Sequence, residues 1–252
     1  MASATRSSGV LSVDVPEDWL QGRSLFGGLQ AALAVETMRT LVPELPLRSL
    51  QTTFVGPVGG GIVAFSARVL RAGKNVTHVE ARLGDDAIFI GIFGQSRPSV
   101  VGVTLESPAS PAPLTPPHTL TFIPGVTPNF TQHYTGTWRR GATPFTATPS
   151  PDPYLELTVR DEGPFTEAHL IALADFIPPI ALSYLSAPAP GSTVTWMLEL
   201  LRHDFASLPM SGWAVDGRLV AARDGYTSQS VTLIAPDGVP AALSRQSMLV
   251  FG

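Results

Sequence analysis

Hydrophobic and polar positions alternate in long runs through this chain, and helical spacing interrupts the alternation twice. LSVDV at 11–15 reads as a short strand. After it comes FGGLQAALAVETMRTL at 26–41, where Leu29, Leu33, Met38 and Leu41 recur at mostly helical intervals with alanines between them. Such a small-residue face permits close packing against a sheet, and Pro43 ends the helix. Four strand-like stretches follow, 49–55, 61–71, 75–83 and 87–97, separated by the turn signals GPVGGG, AGK and GDD.

The order then repeats. Residues 130–140 and 154–160 read as strands, 169–185 as a helix kinked at Pro178 and Pro179, and 193–201, 212–223, 226–234 and 240–250 as four further strands. Arg71-Ala72-Gly73 lies 152 positions before Arg223-Asp224-Gly225, and Gln95-Ser96 lies 151 before Gln246-Ser247. These offsets, with the repeated order, predict an internal duplication. One helix followed by consecutive strands is unlike a doubly wound fold, in which each parallel crossover needs its own helix. The expected class is therefore α+β: two antiparallel sheets, each wrapped around a central helix. Pairing of neighbouring edge strands would join them into one sheet.

Six prolines between 98 and 117 remove backbone donors and favour an extended connector. The expected division is a first unit at 1–107, a proline-rich linker at 108–117 and a second unit at 118–252.

Composition narrows the function classes. At 252 residues the chain can bury a sizeable core, and its 44% hydrophobic and 14% charged content argue against disorder. The net charge of −4, with Lys74 as the sole lysine, disfavours a nucleic-acid binder. Sparse charge is consistent with self-association into a homo-oligomer. Cysteine is absent, which excludes disulfides and thiolate chemistry. No apolar run is long enough for a membrane span and the N-terminus lacks a signal-like apolar centre, so a cytoplasmic location is expected.

Few residues stand out as chemistry. Gly27 and Gly28 sit at the expected start of the first helix, where glycine permits close approach and free amides can hold an anion or oxyanion; tight helix-to-sheet packing would use the same pair. Asp175 interrupts the apolar segment LIALADFIPPIAL, and a buried carboxylate there needs donors or a raised pKa, unless that turn faces solvent. Thr195 and Gln246, on separate expected strands, could hydrogen-bond it if the sheet brought them across. The five histidines make no HExxH or close cluster, so no metal site is expected. Tyr134, Trp138 and Arg139-Arg140 read as packing and rim residues.

With these pieces assembled, the chain resembles the TesB-like acyl-CoA thioesterases, which carry a tandem, or double, hotdog fold. SLFGGLQAALA, RSLQTTFVGPVGGG, VLRAGKNVTHVEARL and FGQ are similar to the first hotdog unit; LADFIPPI, TVTWMLELLRH and AALSRQSML are similar to the catalytic segments of the second. The resemblance implies a catalytic set of Asp175, Thr195 and Gln246, with the Gly28 amide as oxyanion donor and Gly27 beside it. The step of eight residues from Thr195 to His203 also fits the family pattern. Gln51 stands where the family carries a histidine; it donates a hydrogen bond but cannot take a proton. The implied activity is hydrolysis of an acyl-CoA that needs no metal or redox cofactor, with coenzyme A as part of the substrate. Asp175 would activate a water or attack directly, and the acyl chain would lie near Leu29, Phe176 and Ile177. A non-catalytic acyl-thioester or small-lipid binding protein on the same scaffold is the alternative reading.

Overall fold

Alternation in the strands decides the architecture. Along Ala87–Phe93 the residues Ala87, Phe89, Gly91 and Phe93 are buried while Ile88, Ile90 and Ile92 lie on the other face, the period of two that a half-covered antiparallel strand requires. A computed structural model describes residues 4–251. The first half contains β1 (Ala4–Ser7), β2 (Val10–Val15), a two-stranded ribbon of β3 (Leu20–Gln21) and β4 (Ser24–Leu25), helix α1 (Gly27–Arg39), β5 (Leu47–Phe54), β6 (Gly61–Ala72), β7 (Thr77–Leu83) and β8 (Ala87–Phe93). The second contains β9 (His118–Leu120), β10 (Tyr134–Arg140), β11 (Tyr154–Val159), helix α2 (Glu167–Ala174), β12 (Gly191–Leu200), β13 (Trp213–Arg223), β14 (Tyr226–Ile234) and β15 (Pro240–Val250). Residues 94–117 hold no helix or strand.

Among the described residues, 13 strands form one antiparallel sheet in the order β1-β2-β6-β7-β8-β5-β12-β15-β14-β13-β11-β10-β9. The order β2-β6-β7-β8-β5 is mirrored by β11-β13-β14-β15-β12, and the halves join where β5 pairs antiparallel with β12. At this seam Thr52 faces Trp196 and Gln51 faces Met197. This is the tandem hotdog arrangement, with the sheet continuous from one half to the other. Each helix lies on the inner face of the sheet. The small face of α1 buries Ala31, Ala34, Val35 and Met38 almost completely, so the alanines let the helix approach the strands closely.

The two helices lie against each other. Arg39, at the end of α1, holds Glu167, at the start of α2, in a two-pronged ion pair with Nη2–Oε1 at 2.7 Å and Nε–Oε2 at 3.0 Å. The same guanidinium donates to the carbonyl oxygens of Val42 and Leu45 and lies over the Phe93 ring.

The structure departs from the sequence expectation in three places. The second helix ends at Ala174 rather than running to 185, because Pro178 disfavours helical geometry at Ile177 and neither proline supplies an amide donor. The chain resumes as a separate 3₁₀ turn at Ile180–Tyr184. Residues 129–133 are likewise a 3₁₀ turn, so that strand starts at Tyr134. Finally, Gln95 lies beyond the end of β8 and is exposed, whereas Gln246 is buried within β15; the 151-residue match does not mark equivalent strand positions. The Arg71/Arg223 match does fall at the corresponding ends of β6 and β13.

Candidate active site

The break after Ala174 creates the site. Asp175 caps the C-terminal end of α2 with φ −106° and ψ 2°, outside helical geometry. Its carboxylate is directed into the interior, where Oδ1 accepts a hydrogen bond from Nε2 of Gln246 on β15. Burial pushes the Asp175 carboxyl up to about 7, against the opposing pull of the Gln246 amide and the Gly28 backbone N–H. At that value it gains or loses a proton near neutral pH, the condition a general base needs.

Gln246 is itself held. Its Oε1 accepts from Nε2 of Gln229 on β14 at 3.0 Å, and Oε1 of Gln229 accepts from the Ile180 backbone N–H at 2.9 Å. Both glutamines are buried, and strand register sets them side by side: Gln229 faces Gln246, Gln246 faces Trp196, and Trp196 faces Thr52 across the seam.

Helix α1 closes the site from the other half of the chain. A Cβ at Gly27 would lie 2.8 Å from Oδ2 of Asp175 and 3.0 Å from Cζ of Phe54. A Cβ at Gly28 would lie 2.8 Å from the Ala172 carbonyl oxygen and 2.6 Å from Cζ of Phe26. Gly27 therefore gives room to the carboxylate, and Gly28 gives room to the backbone of α2. The Gly28 amide, expected to serve an oxyanion, here interacts with the Asp175 carboxylate.

An aromatic cluster lies beside the carboxylate, with Tyr134 close enough to feel its charge. Phe26 stacks on Phe130 at 3.9 Å, and Phe176 meets the Phe130 and Tyr134 rings edge-on at 5.9 and 4.9 Å. Burial, and then the charge of Asp175, push the Tyr134 phenol well above its usual range, so it remains a neutral hydroxyl.

Thus Asp175, Gln246, Gly27 and Gly28 come together. Thr195 does not join them. It pairs with Ser247 and Thr53 on the exposed face of the sheet, opposite the face that carries Trp196 and Gln246. A register shift between Thr193 and Thr195 sets Thr193, not Thr195, opposite the buried Met248, on the Gln246 side. Gln51 is also exposed on the outer face, beside Met197 and Ile90. The parity of the strands explains both: in TWMLEL the bulky Trp196, Leu198 and Leu200 take the interior, and in LQTTF the buried Leu50 and Thr52 send Gln51 outward. Phe176 and Ile177 are core residues, 7% and 2% exposed, and Leu29 is half-buried against the core. They fill space rather than line an open acyl slot. A cavity of about 10 Å³ under Trp138, Pro178 and Pro179 is too small for one.

The sequence did not mark Gln229 and Tyr134 as neighbours of the site. Gln229 was legible: it shares the inward parity of Thr227, Val231 and Leu233, and a glutamine on an otherwise core-facing row calls for a partner. Among the described residues no group of three or more His, Asp or Glu converges, and no helix is long and apolar enough to cross a membrane.

Comparison with known proteins agrees with this architecture. In solved structures the chain superposes on a hot dog fold protein of Alicyclobacillus acidocaldarius with a TM-score of 0.85 at 20% identity, covering 99% of this chain and 96% of that one. It superposes on the tesB protein of Mycobacterium avium subspecies paratuberculosis with a TM-score of 0.75 at 13% identity, covering 99% and 96%. For the acyl-CoA thioesterase II TesB2 of Mycobacterium marinum the TM-score is 0.71 at 14% identity, again covering 99% and 96%. Identities this low speak to the fold alone. No curated protein matches by sequence. The family model for an acyl-CoA thioesterase N-terminal domain matches residues 15–104, and that for an acyl-CoA thioesterase C-terminal domain matches 107–250. The chain, matched over most of its length and built as a tandem hotdog, belongs to the acyl-CoA thioesterase family.

Proposed function

We propose that this protein hydrolyses the thioester of an acyl-CoA to a free acid and coenzyme A, with Asp175 as the general base. The observation that carries the reading is the half-buried Asp175 carboxylate, held by Gln246 and set against the glycine start of α1 from the other half of the chain. Family membership supplies the reaction class. A buried carboxylate that titrates near neutral pH is expensive to maintain for structural purposes alone.

In this mechanism Asp175 takes a proton from a water as the water oxygen attacks the thioester carbonyl carbon. The carbonyl oxygen becomes an oxyanion, for which we assign amides of the first turn of α1, where the Gly28 N–H also faces Asp175, as the donors. Collapse of the tetrahedral intermediate breaks the carbon–sulfur bond, and the departing thiolate takes the proton from Asp175. Gln246 keeps one carboxylate oxygen engaged and leaves the other for the water. The Tyr134 hydroxyl, near enough to feel the charge of Asp175, stays neutral in this mechanism. We place the reaction in the cytoplasm, with coenzyme A entering only as part of the substrate.

The test is thiol release from a panel of acyl-CoAs of differing chain length, under single-turnover conditions, with parent and Asp175→Asn proteins. Hydrolysis by the parent and a loss of about a hundredfold or more in the variant, at unchanged acyl-CoA affinity, is the expected result. Acyl-CoA binding without hydrolysis across the panel would instead make this a binding protein.

A further inference from the structure

The hydrogen bonds behind Asp175 have a direction that one backbone group sets. Pro178 and Pro179 have no N–H, so the first amide donor after Ile177 belongs to Ile180, and it donates to Oε1 of Gln229 at 2.9 Å. A backbone N–H can only donate. The Gln229 amide therefore has to present its oxygen to Ile180 and its nitrogen to Gln246, whose Oε1 accepts at 3.0 Å. Gln246 must in turn present its nitrogen to Oδ1 of Asp175. With each amide buried, no water competes for these positions, and rotating either amide by half a turn would oppose two like groups.

We propose that Gln229 is a positioning residue for hydrolysis, which orients the Gln246 amide so that its N–H, rather than its carbonyl, faces the Asp175 carboxylate. The inference rests on the hydrolase reading above and extends it by one residue that touches neither substrate nor reacting atoms. Without Gln229, Gln246 is free to turn its oxygen toward Asp175. A carbonyl facing a carboxylate favours the protonated acid, so the base would be withdrawn where the enzyme needs it. Among the described residues Tyr134, from β10, is the titratable group facing Asp175. Helix α1 presents the Gly28 amide there, β5 presents Phe54 beside Gly27, and β14 and β15 present the two glutamines, none of which titrates.

Two variants separate positioning from bulk. Gln229→Leu keeps volume and removes both hydrogen bonds. Gln229→Glu, while protonated, keeps both, since its carbonyl can accept from Ile180 and its O–H can donate to Gln246; on ionising it loses the second. The measurements are kcat and KM against pH, together with the titration of Asp175 followed by carbon NMR of protein labelled at aspartate. For Gln229→Leu, the expected outcome is a kcat lower by about tenfold or more, KM within about twofold, and the acid limb moved up by about one pH unit, with the NMR midpoint moving alongside. For Gln229→Glu, kcat should match the parent on the acid side and fall away at higher pH, adding a limb that the parent lacks. Equal loss of thermal stability in both variants, with the Asp175 midpoint unmoved, would overturn the proposal. The NMR titration does not depend on activity. A parent that hydrolyses no thioester, yet whose Asp175 midpoint moves in Gln229→Leu, removes the hydrolase reading and keeps the positioning; a hydrolytic parent whose midpoint stays fixed does the reverse.

Discussion

Gly27 and Asp175 come from opposite halves of the chain and are pressed together: a side-chain carbon added to Gly27 would stand 2.8 Å from Oδ2 of the aspartate. Neither half contains the site alone. The first supplies a helix start without side chains, and the second supplies the carboxylate and the glutamines that orient it.

This contact distinguishes the two glycines experimentally. Gly27→Ala should place its methyl on the carboxylate oxygen and lower kcat by about tenfold or more, while thermal stability stays close to that of the parent. Gly28→Ala should instead press on the Ala172 carbonyl and the Phe26 ring and cost about 1–3 kcal/mol of stability. Thermal melts and thiol-release rates on the two purified variants check both. A stable Gly28→Ala protein alongside an unfolded Gly27→Ala protein would mean that the assignments are exchanged.

Asp175 also makes the fold sensitive to pH. Its carboxyl has an ordinary value of 3.8 and stands at about 7 in the folded protein. Between those values the folded chain holds a proton that the unfolded chain has released. Burial of Asp175 is therefore harmless at low pH, weakens the fold progressively as pH rises from about 4 to about 7, and exerts its full effect above that. Asp175→Asn cannot titrate, so its stability relative to the parent should rise by a few kcal/mol between about pH 4 and pH 8. Denaturant unfolding at several pH values measures this, and a difference that does not vary with pH would refute it.

Thr195→Val should leave kcat within about twofold of the parent, since Thr195 lies on the exposed face of β12. Gln246→Leu, which removes the bond to Asp175, should lower it by about tenfold or more. Thr193→Val, on the Gln246 side of the strand, should fall between them. Steady-state kinetics on the three variants decides the order, and a large loss in Thr195→Val alone would restore Thr195 to the site.

Arg39→Met should destabilise the protein by about 2–4 kcal/mol while leaving the Asp175 surroundings in place. It removes both prongs of the Glu167 pair, the two carbonyl contacts that hold the turn after α1, and the cation over Phe93, and leaves Glu167 without its partner. Urea unfolding measures the loss. Charge reversal at both positions, Arg39→Glu with Glu167→Arg, should recover only part of it, because the carbonyl contacts need a donor at position 39.

The elements were legible in the sequence because their signals are local. Inward alternation in β8 and β14, the alanine face of α1 and the turn signals between strands each depend on neighbours a few positions away, and these predicted the tandem helix-on-sheet order. Asp175 was likewise visible as a polar residue in an apolar segment, whereas Gln246 entered only through the family resemblance. Which polar residues meet was not visible, because that depends on contacts made across the seam and between helices. The parity of β12 turned Thr195 outward, a register shift returned Thr193 to the other face, and prolines after Ala174 ended α2 so that Asp175 became its cap. Tertiary packing alone set that half-buried cap against Gly27 and left Gln246, aligned by Gln229 and ultimately by one backbone amide, as its hydrogen-bonding side chain.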